Sequence, residues 1–455
     1  AAKALVERGI AFDWFEKGSM VGGLWQIDND NGATPGYRSL HLNSSRPRTQ
    51  YPSFPMPPDW PDYPSHALMA QYFERFAEHF GLTERITFQT PVVAVSPVPG
   101  GPRPGSRGWL VTPQGQPPRT YQEVLVCNGH HHQPRIPTLP GNFAGQTLHS
   151  SSYRDPALFA GKDVVVVGVG NSGMDIACDA VATANRVWLV TRHGVHVLPK
   201  YALSKPIDQL GSPLTAYVPF ALERRIYELI VKVSTGTPES RGMPKPDHRL
   251  LEAHPTVSAD LYDRVGHGDI QMKPDIDRLD DDMVHFVDGS SVHADVLVYA
   301  TGYEVSFPFF DQDVWTANDN ELPLFQRVVA PDRPGLYFIG FVQSVGANIP
   351  LMEYQSDWIA DVMAGEVVLP SEPDMRAWIR KDRDRMAKRY VRSPRHTMQV
   401  DYWRYIRAMK EARMMTATAD WKARLKRPLA GLLPKPVGAK AKRARPVSPK
   451  NRESA

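Results

Sequence analysis

The sequence predicts an α/β fold with two similar strand and helix units, and three observations carry that prediction. The first is DVVVVGVGNSGMDIACDAV (163 to 181), where four valines precede Gly168, Gly170 and Gly173 and a helix-compatible segment follows. The spacing has a cause: the first glycine permits a tight turn, the second lets backbone approach a pyrophosphate, and the third lets helix pack on strand. The second is RVWLVTRHG (186 to 194), an apolar strand pattern directly after that helix. The third is the opening AAKALVERGIAFDWFEKG (1 to 18), a run of helix formers that Gly9 ends, followed by alternating Ile10, Phe12 and Trp14 and an acidic Glu16. Helix, strand and then acid is the second half of a dinucleotide-binding unit.

Bulk properties bound the class. At 455 residues the chain is too long for one ordinary core, so two interleaved or sequential domains are expected. The two cysteines, Cys127 and Cys178, lie in apolar segments, which argues against a secreted disulfide scaffold and a CxxC redox site. No apolar run reaches about 18 residues and no signal peptide is visible, so a soluble cytoplasmic protein without a membrane partner is expected. The net charge of +4 hides an asymmetry, because residues 421–455 hold eleven Lys or Arg against one Glu. That tail is poor in apolar residues and is expected to be a disordered, solvated end rather than a nucleic-acid arm.

The remaining elements follow in order. Leu68, Tyr72, Phe73, Phe76 and Phe80 fall on one helical face from 65 to 80, with Ser65 as cap and Gly81 as stop. ITFQTPVVAV (86 to 95), GWLVTP (108 to 113) and EVLVCNG (123 to 129) read as a strand meander. An α/β segment runs from Lys162 to the strand DVLVYATG (295 to 302), GLYFIGF (335 to 341) is another buried strand, and Leu351 to Met363 and Met375 to Tyr390 read as helices.

Candidate site residues come from the loops between these elements. The helix after Gly170 begins Asn171, Ser172, Gly173, and its N-terminus offers unpaired amides and partial positive charge to phosphates. Arg192 stands where NAD-preferring sites place an acid; an Arg there suits a 2′-phosphate and hence NADPH, the alternative being a solvated loop cation. Glu16 occupies the position of a ribose-binding acid, and Gly22 and Gly23 in VGGLW allow close backbone approach beside Trp25, although alone these read equally as a strand-end acid and a turn. His130, His131 and His132 do not form a metal site, since neighbours in an extended segment point to opposite faces and no Cys or acidic cluster accompanies them. A Ser/His/Asp hydrolase is unsupported, for no GxSxG elbow follows a strand.

Six motifs in register then resemble one family. Phe143-Ala-Gly145-Gln-Thr-Leu-His149-Ser-Ser-Ser-Tyr153 fits FxGxxxHxxxY just before the second glycine loop, accompanied by EKGSMVGGLW (16 to 25), LNSS (42 to 45), GVGNSGMDIA (168 to 177), YATGY (299 to 303) and GFVQSVGANIP (340 to 350). The chain resembles the flavin-containing monooxygenases over residues 1 to about 410. The resemblance implies two Rossmann-like dinucleotide-binding domains of three-layer ββα/βαβ type. The FAD domain would be discontinuous (1–150 and 303–420), the NADPH domain inserted (151–302), and 421–455 a basic tail. In that family NADPH reduces FAD, O2 adds to give a C4a-hydroperoxyflavin, and one oxygen passes to an amine nitrogen or a sulfide of a small molecule, in a site that keeps water out.

Residue by residue, the resemblance assigns Asn43 to support of that oxygenating intermediate. Glu16, Leu24, Trp25, Asn43 and Ser44 match FAD-contacting positions; Leu42, Asn43, Ser172, Gly173, Met174 and Asp175 match NADP-contacting ones. Leu42 replaces a Thr and removes a hydroxyl, and His149 reads as a domain-junction residue. Residues 195 to 260 are expected to line or cover the access route, and a homodimer is possible. The rival is a Baeyer-Villiger monooxygenase, whose fingerprint ends in Trp-Pro where this chain has Tyr153-Arg154. From another class, the rival is an inactive fragment or a non-enzymatic NADP-binding redox sensor, because the first glycine loop falls ahead of Ala1. The encoding DNA is therefore expected to read in frame upstream into a strand and GxGxxG.

Overall fold

Valine-rich runs assemble a five-stranded parallel sheet in the computed structural model, which describes residues 1–98, 108–391, 393 and 397–414. Its order is Ile270–Lys273, Arg186–Val190, Asp163–Val167, Val296–Tyr299, Gln146–His149, with every neighbour parallel. Val164, Val165 and Val166 are fully buried, as expected of a parallel strand covered on both faces. One face packs on the helix after the glycine loop through Met174, Ile176 and Ala177. The other packs on an antiparallel sheet of Ile276–Asp281, Met283–Phe286 and Ser291–His293, through Leu279, Val284 and Phe286. This is the three-layer arrangement the sequence predicts.

Nine α-helices occur among the described residues: α1 (Ala2–Glu7), α2 (Arg46–Thr49), α3 (His66–His79), α4 (Asn171–Ala180), α5 (Phe220–Thr235), α6 (Leu261–His267), α7 (Ile349–Met363), α8 (Glu372–Ala387) and α9 (Tyr402–Arg413). In α1, Ala1 gives no side-chain cap, and Ala4 and Leu5 bury against Ala360 of α7. The strand after it is shorter than the alternation suggests. Only Trp14–Phe15 pairs, in parallel with Ile86–Thr87, while Ile10 and Phe12 pack on the α1 and α7 cluster. Ser65 caps α3 by accepting the Leu68 N–H at 3.5 Å, and Gly81 follows at φ 59°. The buried edge of α3 runs through Met69 and Tyr72, with Phe73 and Phe76 half-buried.

Two further expectations need correction or limits. Val92–Pro97, Trp109–Pro113 and Arg119–Tyr121 form an antiparallel meander, but Val124–Val126 leaves it and pairs in parallel with Leu336–Phe338. Alternation cannot reveal that exchange, because both partners are short and apolar. The basic tail, 421–455, lies outside the described residues.

Behind α7 a buried ion pair fixes the C-terminal helices: Arg327 donates to Asp382 of α8 at 2.7 Å, with both side chains at or below one-tenth exposed. Asp382→Ala strands the Arg327 charge and is expected to lower unfolding free energy by about 3 kcal/mol, read from denaturant midpoints. A change under about 1 kcal/mol would show that the pair is not needed.

Candidate active site

The glycine loop is built as the spacing requires. Gly168 has φ 111°, and a Cβ there would stand 2.6 Å from Ala300 O. Gly170 precedes α4 without offering a side-chain cap, so the first amides of this ten-residue helix open onto the loop. Asn171 is partly committed elsewhere, since its Oδ1 accepts the Val257 N–H at 2.9 Å, and the Thr256 hydroxyl donates to Val169 O at 2.9 Å. Ser172 is half-buried beside the loop mouth, whereas Met174 is fully buried in the sheet core with its N–H on Gly170 O. Only the backbone of Met174 is therefore near the loop. Arg192 follows the strand Arg186–Val190 and is exposed.

Asp175 accepts the Tyr37 hydroxyl at 2.6 Å, and burial pushes its carboxyl up to about 6, against the opposing effect of that hydrogen bond. A carboxyl raised in the folded state contributes stability below its unfolded value near 3.8, and that contribution is lost as pH rises through 6. Asp175→Asn keeps an acceptor for Tyr37 without a charge. It is expected to gain about 1 kcal/mol more over the parent at pH 8 than at pH 5 in chemical denaturation; equal gains would refute the ionised buried carboxylate.

On the other side, Glu16 directly follows Trp14–Phe15 and accepts the Gly18 N–H at 2.9 Å; burial raises its carboxyl, and the Gly18 and Lys17 amides oppose that. Gly22 and Gly23 take φ 118° and 54°, left-handed values that start the short turn Gly23–Trp25 carrying Leu24 and Trp25. Trp25 packs on Leu42, whose buried side chain joins Met56, Met69 and Tyr72. The bare, left-handed glycine turn and the acid beside it fit an adenosine ribose and a closely approaching cofactor.

Asn43 and Ser44 line a cavity of about 160 Å³ that Asn171 also lines. The structure thus brings the LNSS motif and the glycine loop to one space. Leu198, Ile207, Phe220 and Tyr227 supply apolar walls, as expected for residues 195–260. Gly346, from the GFVQSVGANIP motif, also lines it; the sequence reading missed Arg48 of α2 and Tyr402, Trp403 and Arg404 of α9, which complete the walls. Nothing in their local pattern signals it, because they reach the cavity only through tertiary packing.

The FxGxxxHxxxY residues hold the junction together. A Cβ on Gly145 would meet Asp295 O at 2.7 Å. The Tyr153 hydroxyl donates to Asp179 of α4 at 2.8 Å. His149 Nδ1 accepts the Ser151 N–H at 3.1 Å, leaving Nε2 to donate to Gly302 O at 3.0 Å, and burial keeps the ring neutral by lowering its pKa. His149 is a structural histidine. His130 and His131 have ring centroids 4.3 Å apart, so the argument from opposite faces fails after the Gly129 turn. His132 instead bonds Ser306 Oγ at 2.9 Å. Among the described residues the one metal-like grouping is Asp163, His293 and Asp295, and Arg186 already pairs with Asp163 there.

A glycine loop opening a parallel sheet, with Asn43, Ser44 and Asn171 on one cavity, is the geometry of an α/β dinucleotide-binding protein. Residues 1–421 match the model of the flavin-binding monooxygenase-like family. Flavin-containing monooxygenase 5 of Rattus norvegicus is 35% identical over 416 residues, spanning 88% of this chain and 78% of that protein. N-oxide-forming dimethylaniline monooxygenase 2 of Mus musculus is 32% identical, over 89% of this chain and 78% of that protein. Among solved structures, S-allyl-L-cysteine S-oxygenase from Allium sativum aligns with TM-score 0.67 at 24% identity, covering 93% of this chain and 88% of that one. The chain belongs to the flavin-binding monooxygenase-like family. It is an FAD-dependent NADPH monooxygenase acting on a small molecule and O2. No helix among the described residues is long and apolar enough to cross a membrane.

Proposed function

We propose that this chain oxygenates a soft nitrogen or sulfur atom in the cavity shared by Asn43, Ser44 and Asn171. That shared cavity is the observation that carries the reading. FAD reduced by NADPH supplies the activated oxygen when both are bound. The chain's part is to hold and to exclude. Glu16, Gly22, Gly23, Leu24, Trp25 and Ser44 hold the flavin nucleotide, while Leu42, Gly168, Gly170, Asn171, Ser172, Gly173 and the Met174 backbone hold NADPH. Asp175 acts at one remove, through Tyr37, and Arg192 meets the 2′-phosphate. Asn43 donates its amide hydrogen bond at the reacting centre, and the walls at Leu198, Ile207 and Phe220 limit water. The division into 1–150 with 303–420, and 151–302, follows the same assignment.

The N-oxide-forming relative favours heteroatom transfer, and so does Arg154. Its guanidinium donates to the carbonyls of Thr34, Ser151 and Tyr153, contacts that a proline there could not make. Thioanisole, N,N-dimethylaniline and cyclohexanone, assayed for NADPH consumption with product detection, test the proposal. Sulfoxide or N-oxide is expected; ester as sole product would establish the Baeyer-Villiger reading, and a colourless protein that binds NADPH the sensor reading. We also place the protein in the cytoplasm, on its two unpaired cysteines. A homodimer is proposed on the exposed stripe Leu222, Ile226, Leu229 and Val233 of α5, whose symmetric spacing pairs with an antiparallel copy of itself. Sedimentation velocity of the parent and of Leu229→Glu tests it.

A further inference from the structure

Two prolines shape the chain along one wall of the cavity. Pro213 opens the short helix Pro213–Tyr217 and Pro219 precedes α5, so Val218 between them is extended (φ −76°, ψ 134°) and its carbonyl lies outside both helices. Arg404 of α9 binds this junction: Nη2 donates to Val218 O at 2.7 Å, and Nη1 lies 2.9 Å from Glu223 Oε2 in the first turn of α5. One turn further along α9, Arg407 stands 4.8 Å over the Tyr217 ring. The other end of the segment is tied to α2, where Asp208 accepts the Ser45 N–H at 2.6 Å and Arg48 donates to Gly211 O at 2.6 Å. Phe220, a cavity wall, falls between the two Arg404 contacts, with the Arg389 guanidinium 3.4 Å from its ring centroid. The clasp is imperfect. Arg389 pairs with Asp401, and Arg404 stands 3.7 Å from the same carboxylate, yet Glu223 Oε2 and Arg389 Nε and Nη2 are buried without an aligned hydrogen bond among the described residues. A half-bonded set of buried charges nets little stability when closed, and opening returns its idle atoms to water. Such a contact opens locally well before the molecule unfolds.

We propose that Arg404 is a positioning residue that clasps residues 212–223 over the cavity, and that substrate enters and product leaves when this clasp opens. Closed, it seats Phe220 in the apolar wall and keeps water from Asn43. Held open, it admits water; O2 then takes the hydride equivalent of NADPH and one proton and leaves as hydrogen peroxide, instead of giving one atom to product and one to water. The effect of Arg404 passes through Phe220 and the segment it holds. Its consequence for coupling rests on the oxygenation reading above, whereas the clasp itself does not.

Hydrogen exchange read by mass spectrometry on the FAD-loaded enzyme tests the clasp without turnover. In Arg404→Met, the amides of 212–223 are expected to exchange about tenfold faster than in the parent, while those of the strand Asp163–Val167 keep their rate. With thioanisole as substrate, the share of NADPH electrons recovered as hydrogen peroxide should rise about threefold. Arg404→Lys, whose single ammonium can reach Glu223 or the Val218 carbonyl but cannot fork between them, should recover part of both effects. Glu223→Gln keeps the size and an acceptor and is expected to move both readouts in the same direction, so the clasp stays testable if Arg404→Met fails to fold. Unchanged exchange of 212–223 in both variants, or an equal rise in Asp163–Val167, would overturn the clasp. Faster exchange with an unchanged peroxide share would overturn its role in coupling. A parent that forms no oxygenated product would count against the oxygenation reading alone, with the exchange rates still deciding the clasp.

Discussion

Gly173→Ala is expected to abolish NADPH binding and to lower unfolding free energy by about 3 to 4 kcal/mol, the upper end for a single added methyl group. The reason lies in backbone rather than side chains. A Cβ at Gly173 would stand 1.9 Å from Gly168 O and 3.2 Å from the Ala300 Cβ, so no rotamer change can make room. The helix α4 would have to move off the strand Asp163–Val167, carrying its open amides away from the loop. Moving it also disturbs Met174, Ile176 and Ala177, all fully buried. Denaturant titration and NADPH calorimetry on the same preparation check both halves; a variant within about 1 kcal/mol of the parent that still binds NADPH would contradict the packing account.

Asn43→Ala is expected to cut product formation about 100-fold, the range seen when one hydrogen-bond donor is removed from a charge-stabilising site. NADPH oxidation should continue, with its electrons recovered as hydrogen peroxide. Asn43 is half-buried on the cavity wall, and the neighbouring turn is held by bonds that do not involve its side chain: Ser44 Oγ to Thr49 Oγ1 at 2.8 Å, and Ser45 N to Asp208. Truncation should therefore leave the turn in place. Unchanged coupling of NADPH to product would remove Asn43 from the chemistry.

Local signals made part of this molecule legible. The glycine spacing, the valine runs and the Ser65 cap each act within a few residues, and the elements they specify form as read. The resemblance located Asn43, and the structure places it on the same cavity as the glycine loop. What could not be read depends on distant packing. Asp208 meets Ser45 across the fold, Trp403 meets Arg48, and Val124–Val126 finds Leu336–Phe338 instead of its sequence neighbours. His130 and His131 show the same limit at short range, since one left-handed glycine changed where two rings point.

That exchange of Val124–Val126 also bears on how the chain folds. Its partner is roughly two hundred residues away, and all five strands of the parallel sheet lie between the two. The pairing closes a very large loop, whose entropy cost is small only once the intervening chain is already condensed. The glycine-loop unit, with its nearer contacts, is expected to form first, and the pairing of Val124–Val126 with Leu336–Phe338 last. Newly made chain must hold Val124–Val126 without its partner strand until residue 336 emerges, which exposes this apolar edge to misassembly.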